Sequence, residues 1–169
     1  MTELRFDQSR SIRAWLMAGL LVVSVGALGA QSLPDLEAEE TPLHWAAEHG
    51  LYSISEQLIT NGASADAPDQ FGRTPLHRAV PYTDIVLLLL GSGANVDTAD
   101  MFGRTPLHTA LPYPRTVAIL LDAGADIATE DFLGDTPLER TLKYGTRSRN
   151  LEVIDLLLAA GAGALRNSR

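Results

Sequence analysis

The run Thr74-Pro75-Leu76-His77 occurs in three more places along the chain, as Thr41-Pro42-Leu43-His44, Thr105-Pro106-Leu107-His108 and, with its last residue changed, Thr136-Pro137-Leu138-Glu139. The starts at 41, 74, 105 and 136 are 33, 31 and 31 residues apart. Each run is followed by a second apolar stretch that ends on a Gly-Ala pair. These are Leu58-Ile59 before Gly62-Ala63, Leu88-Leu89-Leu90 before Gly93-Ala94, Ile119-Leu120-Leu121 before Gly124-Ala125, and Leu156-Leu157-Leu158 before Gly161-Ala162. Between copies lies a loop ending in Phe-Gly-Arg at 71–73 and 102–104, or in Leu-Gly-Asp at 133–135. A fixed period of this length marks an array of supersecondary units.

Local chemistry says what each unit is. Threonine is a good N-cap, and proline at the next position has no amide hydrogen to waste, so Thr41, Thr74, Thr105 and Thr136 each start a first helix. Thr136 and Glu139 have the spacing of a capping box. Small residues follow, Ala46-Ala47, Ala79-Val80 and Ala110-Leu111, which let helices pack closely. The second stretch carries the larger apolar stripe. Gly62, Gly93, Gly124 and Gly161 are expected to end the second helices in a left-handed conformation. One such unit cannot bury its own apolar face, but three or more stacked units can.

These copies resemble the ankyrin repeat, whose period is about 33 residues and whose signature is the Thr-Pro-Leu-His run. The resemblance covers residues 41 to about 162. It implies an all-α solenoid domain over 41–169, built of four helix–turn–helix repeats at about 41–68, 69–99, 100–130 and 131–162. The loops Ala63–Arg73, Ala94–Arg104 and Ala125–Asp135 become short hairpin-like fingers. It further implies that His44, His77 and His108 hydrogen-bond the turn and tie neighbouring repeats together. Copies two and three lack two residues between their helices and carry Pro81-Tyr82 and Pro112-Tyr113-Pro114, which predicts a tighter, stiffer turn there. Copy four gains four residues within Tyr144–Arg149.

The chain has 169 residues, no cysteine and a formal charge of −8, so disulfides and thiolate chemistry are excluded. Residues 1–30 hold three arginines and two acids, which leaves the remainder one charge more acidic still. That speaks against nucleic acid, whose phosphates need a basic patch. At the N-terminus, Arg5, Arg10 and Arg13 precede a charge-free run from Ala14 to Pro34, whose apolar heart, Trp15 to Ala30, ends in small residues. This is the layout of a signal peptide over 1–30, cleaved after Ala30 or, as second choice, Ala27. The alternative is an uncleaved anchor in the inner membrane facing the periplasm, the only reading that brings in a membrane. At 16 to 21 residues the run falls near the lower limit for spanning. No Asn-x-Ser/Thr sequon is present, which fits a bacterial periplasm. Residues 31–40, with Pro34 and four acids, read as an acidic linker.

No chemistry-bearing motif stands out. His-Glu-x-x-His, Gly-x-Ser-x-Gly, Gly-x-Gly-x-x-Gly and phosphate-loop runs are absent. Three of the four histidines recur at a framework position, and His49 reads as a contact or capping residue. No catalytic residue, metal ligand or cofactor is expected. The acids Asp66/Asp69 and Asp97/Asp100, joined by Asp126, Glu130 and Asp131, read as turn chemistry with a solvated acidic edge. Their functional alternative is attraction of a basic partner.

The aromatics are more informative. By the resemblance, residues two, three and five places into each finger face a concave groove: Gln70, Phe71 and Arg73, then Met101, Phe102 and Arg104, then Phe132, Leu133 and Asp135. The ends of the first helices face the same groove, with Glu48 and His49, then Tyr82, Tyr113 and Tyr144 at intervals of 31 and 31 residues; the two-residue deletion can be placed on either side of Tyr82 and Tyr113, which leaves their register open. Tyrosine, phenylalanine, methionine and arginine are enriched at binding interfaces. The candidate partner-binding set is therefore Phe71, Arg73, Met101, Phe102, Arg104, Phe132, Tyr82, Tyr113 and Tyr144. The expected function is a non-catalytic module binding another protein, such as a periplasmic enzyme. The alternative is an immunity protein that neutralises a toxin delivered to the periplasm. Export has a direct test: N-terminal sequencing of the mature protein should begin at Gln31 or Leu28. Soluble cytoplasmic protein beginning at Met1 or Thr2 would rule export out.

Overall fold

Threonine, proline and histidine at the head of each copy fix where its first helix begins. The computed structural model describes residues 40–144 and 150–167. The expected leader at 1–30 and residues 31–39 of the linker lie outside the described residues, as do 145–149 of the insertion in copy four. The helices come in pairs: α1 (Pro42–Glu48) with α2 (Tyr52–Thr60), α3 (Pro75–Ala79) with α4 (Thr83–Gly91), α5 (Pro106–Thr109) with α6 (Pro114–Asp122), and α7 (Pro137–Tyr144) with α8 (Asn150–Asn167). Among the described residues there is no strand. The expected all-α array of helix–turn–helix repeats is what forms.

The cap explains the run. Thr41, Thr74 and Thr105 take extended backbone angles, and each is joined to the histidine three residues on by a reciprocal capping box. The threonine amides donate to His44, His77 and His108 Nδ1 at 3.3, 3.0 and 3.2 Å. An amide can only donate, so Nδ1 is bare and the ring proton sits on Nε2. That nitrogen donates to the carbonyl at the end of the next finger: Arg73 at 2.8 Å, Arg104 at 3.0 Å and Asp135 at 3.1 Å. Glu139 closes the fourth cap instead, its Oε2 accepting the Thr136 amide at 2.9 Å. A carboxylate accepts the cap equally well but has no hydrogen to send forward.

Beneath the caps lies a continuous apolar seam. Leu43, Leu76 and Leu107 are fully buried, with Ile85, Val86 and Leu89 from α4, Val117 and Leu120 from α6, and Val153 and Leu157 from α8. Ala46, Ala47, Ala79 and Ala110 have no exposed surface, as close approach of the first helices requires. Packing joins the two helices of a copy and like helices of adjacent copies. This nearest-neighbour arrangement is that of a solenoid.

Two expectations need correction. The residues missing from copies two and three are taken from the first helix, not the turn. Helix α1 has seven residues, whereas α3 has five and α5 four. The turn 49–51 is matched by an equally long turn 80–82. Its chemistry differs: copy one reverses at Gly50, with φ +70°, whereas the prolines of copies two and three cannot take that angle. There Tyr82 and Tyr113 amides close the turn on Ala79 and Ala110 carbonyls at 2.8 and 2.7 Å. The second correction concerns Gly161. Gly62, Gly93 and Gly124 end their helices at φ near +90°, but Gly161 lies inside α8, which runs on to Asn167. A side chain at 161 would press on Ile127, so the glycine there permits close packing.

The histidine link makes a direct expectation. In His77→Ala the α3 cap loses its acceptor and the Arg104 carbonyl its donor. Stability should fall by about 0.5–2 kcal/mol, the range for a lost cap, with helical content retained. An unchanged melting curve would show that the link contributes nothing.

Candidate functional site

Each finger is built on one buried aspartate. Asp69 Oδ1 accepts the amides of Phe71 and Arg73 at 2.8 and 2.9 Å, and its own amide donates to the Arg73 carbonyl at 2.8 Å. Gly72, at φ +73°, completes the reversal, and a side chain there would crowd the backbone at Met101. Asp100 repeats the pattern with Phe102 and Arg104, and Asp131 with Leu133 and Asp135. The second oxygen of Asp69 and of Asp100 holds the guanidinium of Arg73 and Arg104, each through Nε at 2.9 Å. Burial opposes the charge on Asp69. The Arg73 and Phe71 amides and the Arg73 and Arg78 guanidiniums outweigh it and hold the carboxyl down at about 2. Asp100 and Asp131 are lowered by the same contest between burial and hydrogen bonding.

This overturns part of the expected solvated acidic edge. Asp69, Asp100 and Asp131 are interior groups. Asp66 is exposed and Asp97 half-buried, and they too are committed: each accepts an amide of the next finger, Asn95 at 2.8 Å and Asp126 at 2.9 Å.

The buried carboxylates also tie the fingers to the first helices. Arg78 on α3 reaches Asp69 Oδ2 at 3.1 Å, and Arg140 on α7 reaches Asp131 Oδ2 at 2.8 Å. The Arg73 guanidinium lies 4.6 Å from the Phe71 ring centroid and that of Arg104 lies 4.7 Å from Phe102. Each pair is a ring, a cation and a buried anion in one stack. Adjacent fingers are pinned by Met101 and Phe132 amides donating to Phe71 and Phe102 carbonyls at 2.8 and 2.9 Å. The Phe132 ring packs over Gly103. Phe71, Met101, Phe102 and Phe132 thus form one row whose side chains become more exposed toward copy four, from 37% at Phe71 to 77% at Phe132. In copy four Asp135 stands where arginine stood; it is buried and paired with Lys143.

The tyrosines do not form a single column. Tyr82 and Tyr113 immediately precede α4 and α6, whereas Tyr144 is the last residue of α7. Equal spacing in sequence thus joins two different places in the repeat, because the first helices differ in length. The Tyr82 ring lies against Gly50 of copy one. Tyr113 lines a cleft with Pro81, Pro112, Pro114 and Glu152 at the inter-helix turns. Tyr144, by contrast, belongs with the fingers, its ring 5.5 Å from the Arg140 guanidinium.

Trp45 is a residue that the reading by motif passes over. It is stacked on His49 at 4.5 Å, and His49 Nδ1 donates to the Trp45 carbonyl at 2.8 Å at the end of α1. Trp45 is four places after Thr41, the register of Arg78 after Thr74 and Arg140 after Thr136. That register was the signal that could have found it. The framework histidines are buried and reach no open surface. Among the described residues no group of histidines and carboxylates is arranged to hold a metal ion, and no helix is long and apolar enough to cross a membrane.

A family model described as ankyrin repeats in three copies matches residues 20–100 and 81–167. The chain is 49% identical over 41 residues to an ankyrin repeat protein of Rickettsia bellii, covering 24% of this chain and 17% of that protein. It is 49% identical over 41 residues to human neurogenic locus notch homolog protein 4, covering 24% of this chain and 2% of that protein. It is 38% identical over 53 residues to a palmitoyltransferase of Kluyveromyces lactis, covering 31% of this chain and 7% of that protein. The chain therefore spans a small part of the length of these curated relatives.

The buried acids and histidines set the pH response. Burial lowers the pKa of His44, His77 and His108 below the ordinary 6.5, against the pull of their carbonyl partners. Their contribution to stability is complete above pH 6.5 and is lost as the pH falls toward the lowered folded values. Asp69 contributes fully above its ordinary 3.8 and loses that contribution as the pH falls through about 2. Melting temperature should therefore decline in two stages on acidification. In His77→Gln the first stage should shrink while the second persists.

Proposed function

The chain belongs to the ankyrin-repeat family, and on that premise we propose that it is a non-catalytic module that holds one partner protein along the face made by its fingers and first helices. Ankyrin repeats are a general protein-binding module. The observation that carries the reading is the row of exposed aromatic and thioether side chains, Phe71, Met101, Phe102 and Phe132, fixed by backbone hydrogen bonds between fingers. Large apolar side chains held rigid and open to solvent lose little conformational freedom on binding and bury much surface. Arg73 and Arg104, each laid over its phenylalanine, add charged edges that set orientation.

We also propose that the module works after export, in the periplasm. What supports this is the charge-free run behind Arg5, Arg10 and Arg13 in the sequence. The partner is then an exported protein or an exported part of one. The electrostatic argument for a toxin-neutralising role, an acidic inhibitor meeting a basic target, finds little support on this face. The finger carboxylates Asp69, Asp100 and Asp131 are buried and already neutralised by arginine.

Phe102 sits in the middle of the row. Phe102→Ala should weaken partner binding by at least ~2 kcal/mol, the usual threshold for a central interface residue. Asp155→Ala on α8, away from the fingers, should leave it unchanged. Affinity measured beside a melting curve for each variant decides the matter. A folded Phe102→Ala protein that binds as tightly as the parent would place the partner elsewhere.

A further inference from the structure

Resting on the reading of the finger face as the partner site, we propose that the segment it takes is an extended acidic stretch of the partner protein, with carboxylates recognised by Arg73 and Arg104. The chain as a whole carries −8, so its bulk charge points to a basic partner. The finger face has the opposite character. The side chains of Asp69 and Asp100 are 1% and 0% exposed, whereas those of Arg73 and Arg104, which cover them, are 24% and 27% exposed. What a ligand meets is guanidinium and aromatic ring, with the negative charge sealed beneath.

The guanidiniums also have donors to spare. Arg73 and Arg104 turn Nε and Nη2 to the buried carboxylate. Among the described residues Nη1 of each has no partner, and Arg140, bound to Asp131 through Nη1, keeps its Nε and Nη2. Arginine presents a rigid fork of donors suited to oxygen anions. Arg78 shows what the spare edge does when an acid is in reach. Beyond Asp69 it takes Glu48 at 2.9 Å and Glu40 at 3.6 Å, the latter from the segment that leads into copy one. At Arg73 and Arg104 no further carboxylate of the described residues arrives.

Spacing then specifies the ligand. Stacked repeats are separated by about the interaxial distance of packed helices, roughly 8–10 Å. A chain in the extended polyproline-II form advances ~3.1 Å per residue with about three residues per turn, so two acids three residues apart lie on one face and meet Arg73 and Arg104 in turn. An apolar residue between them falls on Met101 and Phe102. A nucleic-acid strand is the less favoured polyanion, because its unbroken charge would also meet Glu48 and the acidic remainder of the chain.

The test uses the full chain and three short fluorescein-labelled peptides: one with two glutamates about three residues apart and leucines between, one with glutamines in their place, and one with lysines. The glutamate peptide should bind saturably, and the glutamine peptide at least about tenfold more weakly, as expected for two partly exposed charge-assisted contacts. Arg104→Lys, which keeps the charge over Asp100 but loses the second edge of the fork, should reduce binding of the glutamate peptide several-fold, with folding checked by melting. Equal binding of the three peptides, a preference for lysine, tighter binding of an oligothymidylate, or no saturable binding of the glutamate peptide would overturn the proposal. Failure here is separable from failure of the site itself. If Phe102→Ala abolishes natural partner binding and the bound segment proves neutral or basic, the site stands and its acidic specificity falls. If Phe102→Ala spares the natural partner, the site is wrong.

Discussion

The array depends on one side chain per repeat that bonds in two directions at once. His77 Nδ1 closes the cap of its own helix on the Thr74 amide, and Nε2 bonds the carbonyl of Arg104 in the next finger. Because the first bond fixes the tautomer, it also determines that the second nitrogen is a donor. Cap and inter-repeat link are therefore one unit. This is why the helix can be as short as Pro106–Thr109 and still hold its place. A four-residue helix has little intrinsic stability, and here it is held by its cap, its buried Leu107 and its neighbours.

A second constraint sets the sign of the exposed face. A finger needs an acceptor for two amides at its tip, and Asp69, Asp100 and Asp131 supply it from inside. A buried carboxylate must be compensated, and an arginine lying over it does so. The arginine then needs support for its own flat faces, which Phe71 and Phe102 provide. The aromatic and cationic character of the surface is thus in part a consequence of how the turn is made. In copy four the chain resolves the same need differently: Arg140 covers Asp131, while the finger's last residue becomes Asp135, paired with Lys143.

Much of this was legible in the sequence because the framework is periodic. Thr-Pro-Leu-His gave the helix starts and caps, and the Gly-Ala pairs gave three of the four second-helix ends. The errors came where local length and three-dimensional position part company. A deletion counted between two motifs does not say which element it shortens, so in the sequence a shorter α3 reads as a tighter turn. The same shift made Tyr82, Tyr113 and Tyr144 look like one column, although the first two precede second helices and the third ends a first helix. Composition likewise could not show that Asp69 and Asp100 are buried while Asp66 is exposed and Asp97 half-buried. All four are acids at a regular period, and only the finger geometry separates them.

Periodicity reveals what holds a solenoid together, and for that reason it is silent on what distinguishes one solenoid from another. Residues that recur in every copy are spent on caps, seams and turns. Selectivity has to reside where the copies disagree at a shared position that solvent still reaches. Four places after each threonine stand Trp45, Arg78, Thr109 and Arg140. One place after each finger aspartate stand Gln70, Met101 and Phe132. Neither position is held to one type, since the first carries an aromatic, a charged or a small polar residue and the second an amide, a thioether or an aromatic ring on the same backbone. Read together, they make a surface that runs from an indole stacked on a histidine, through arginine, to an exposed phenylalanine. A ligand that lies along such a surface is read in one direction only. The asymmetry of the side chains, on a backbone that repeats, supplies that direction.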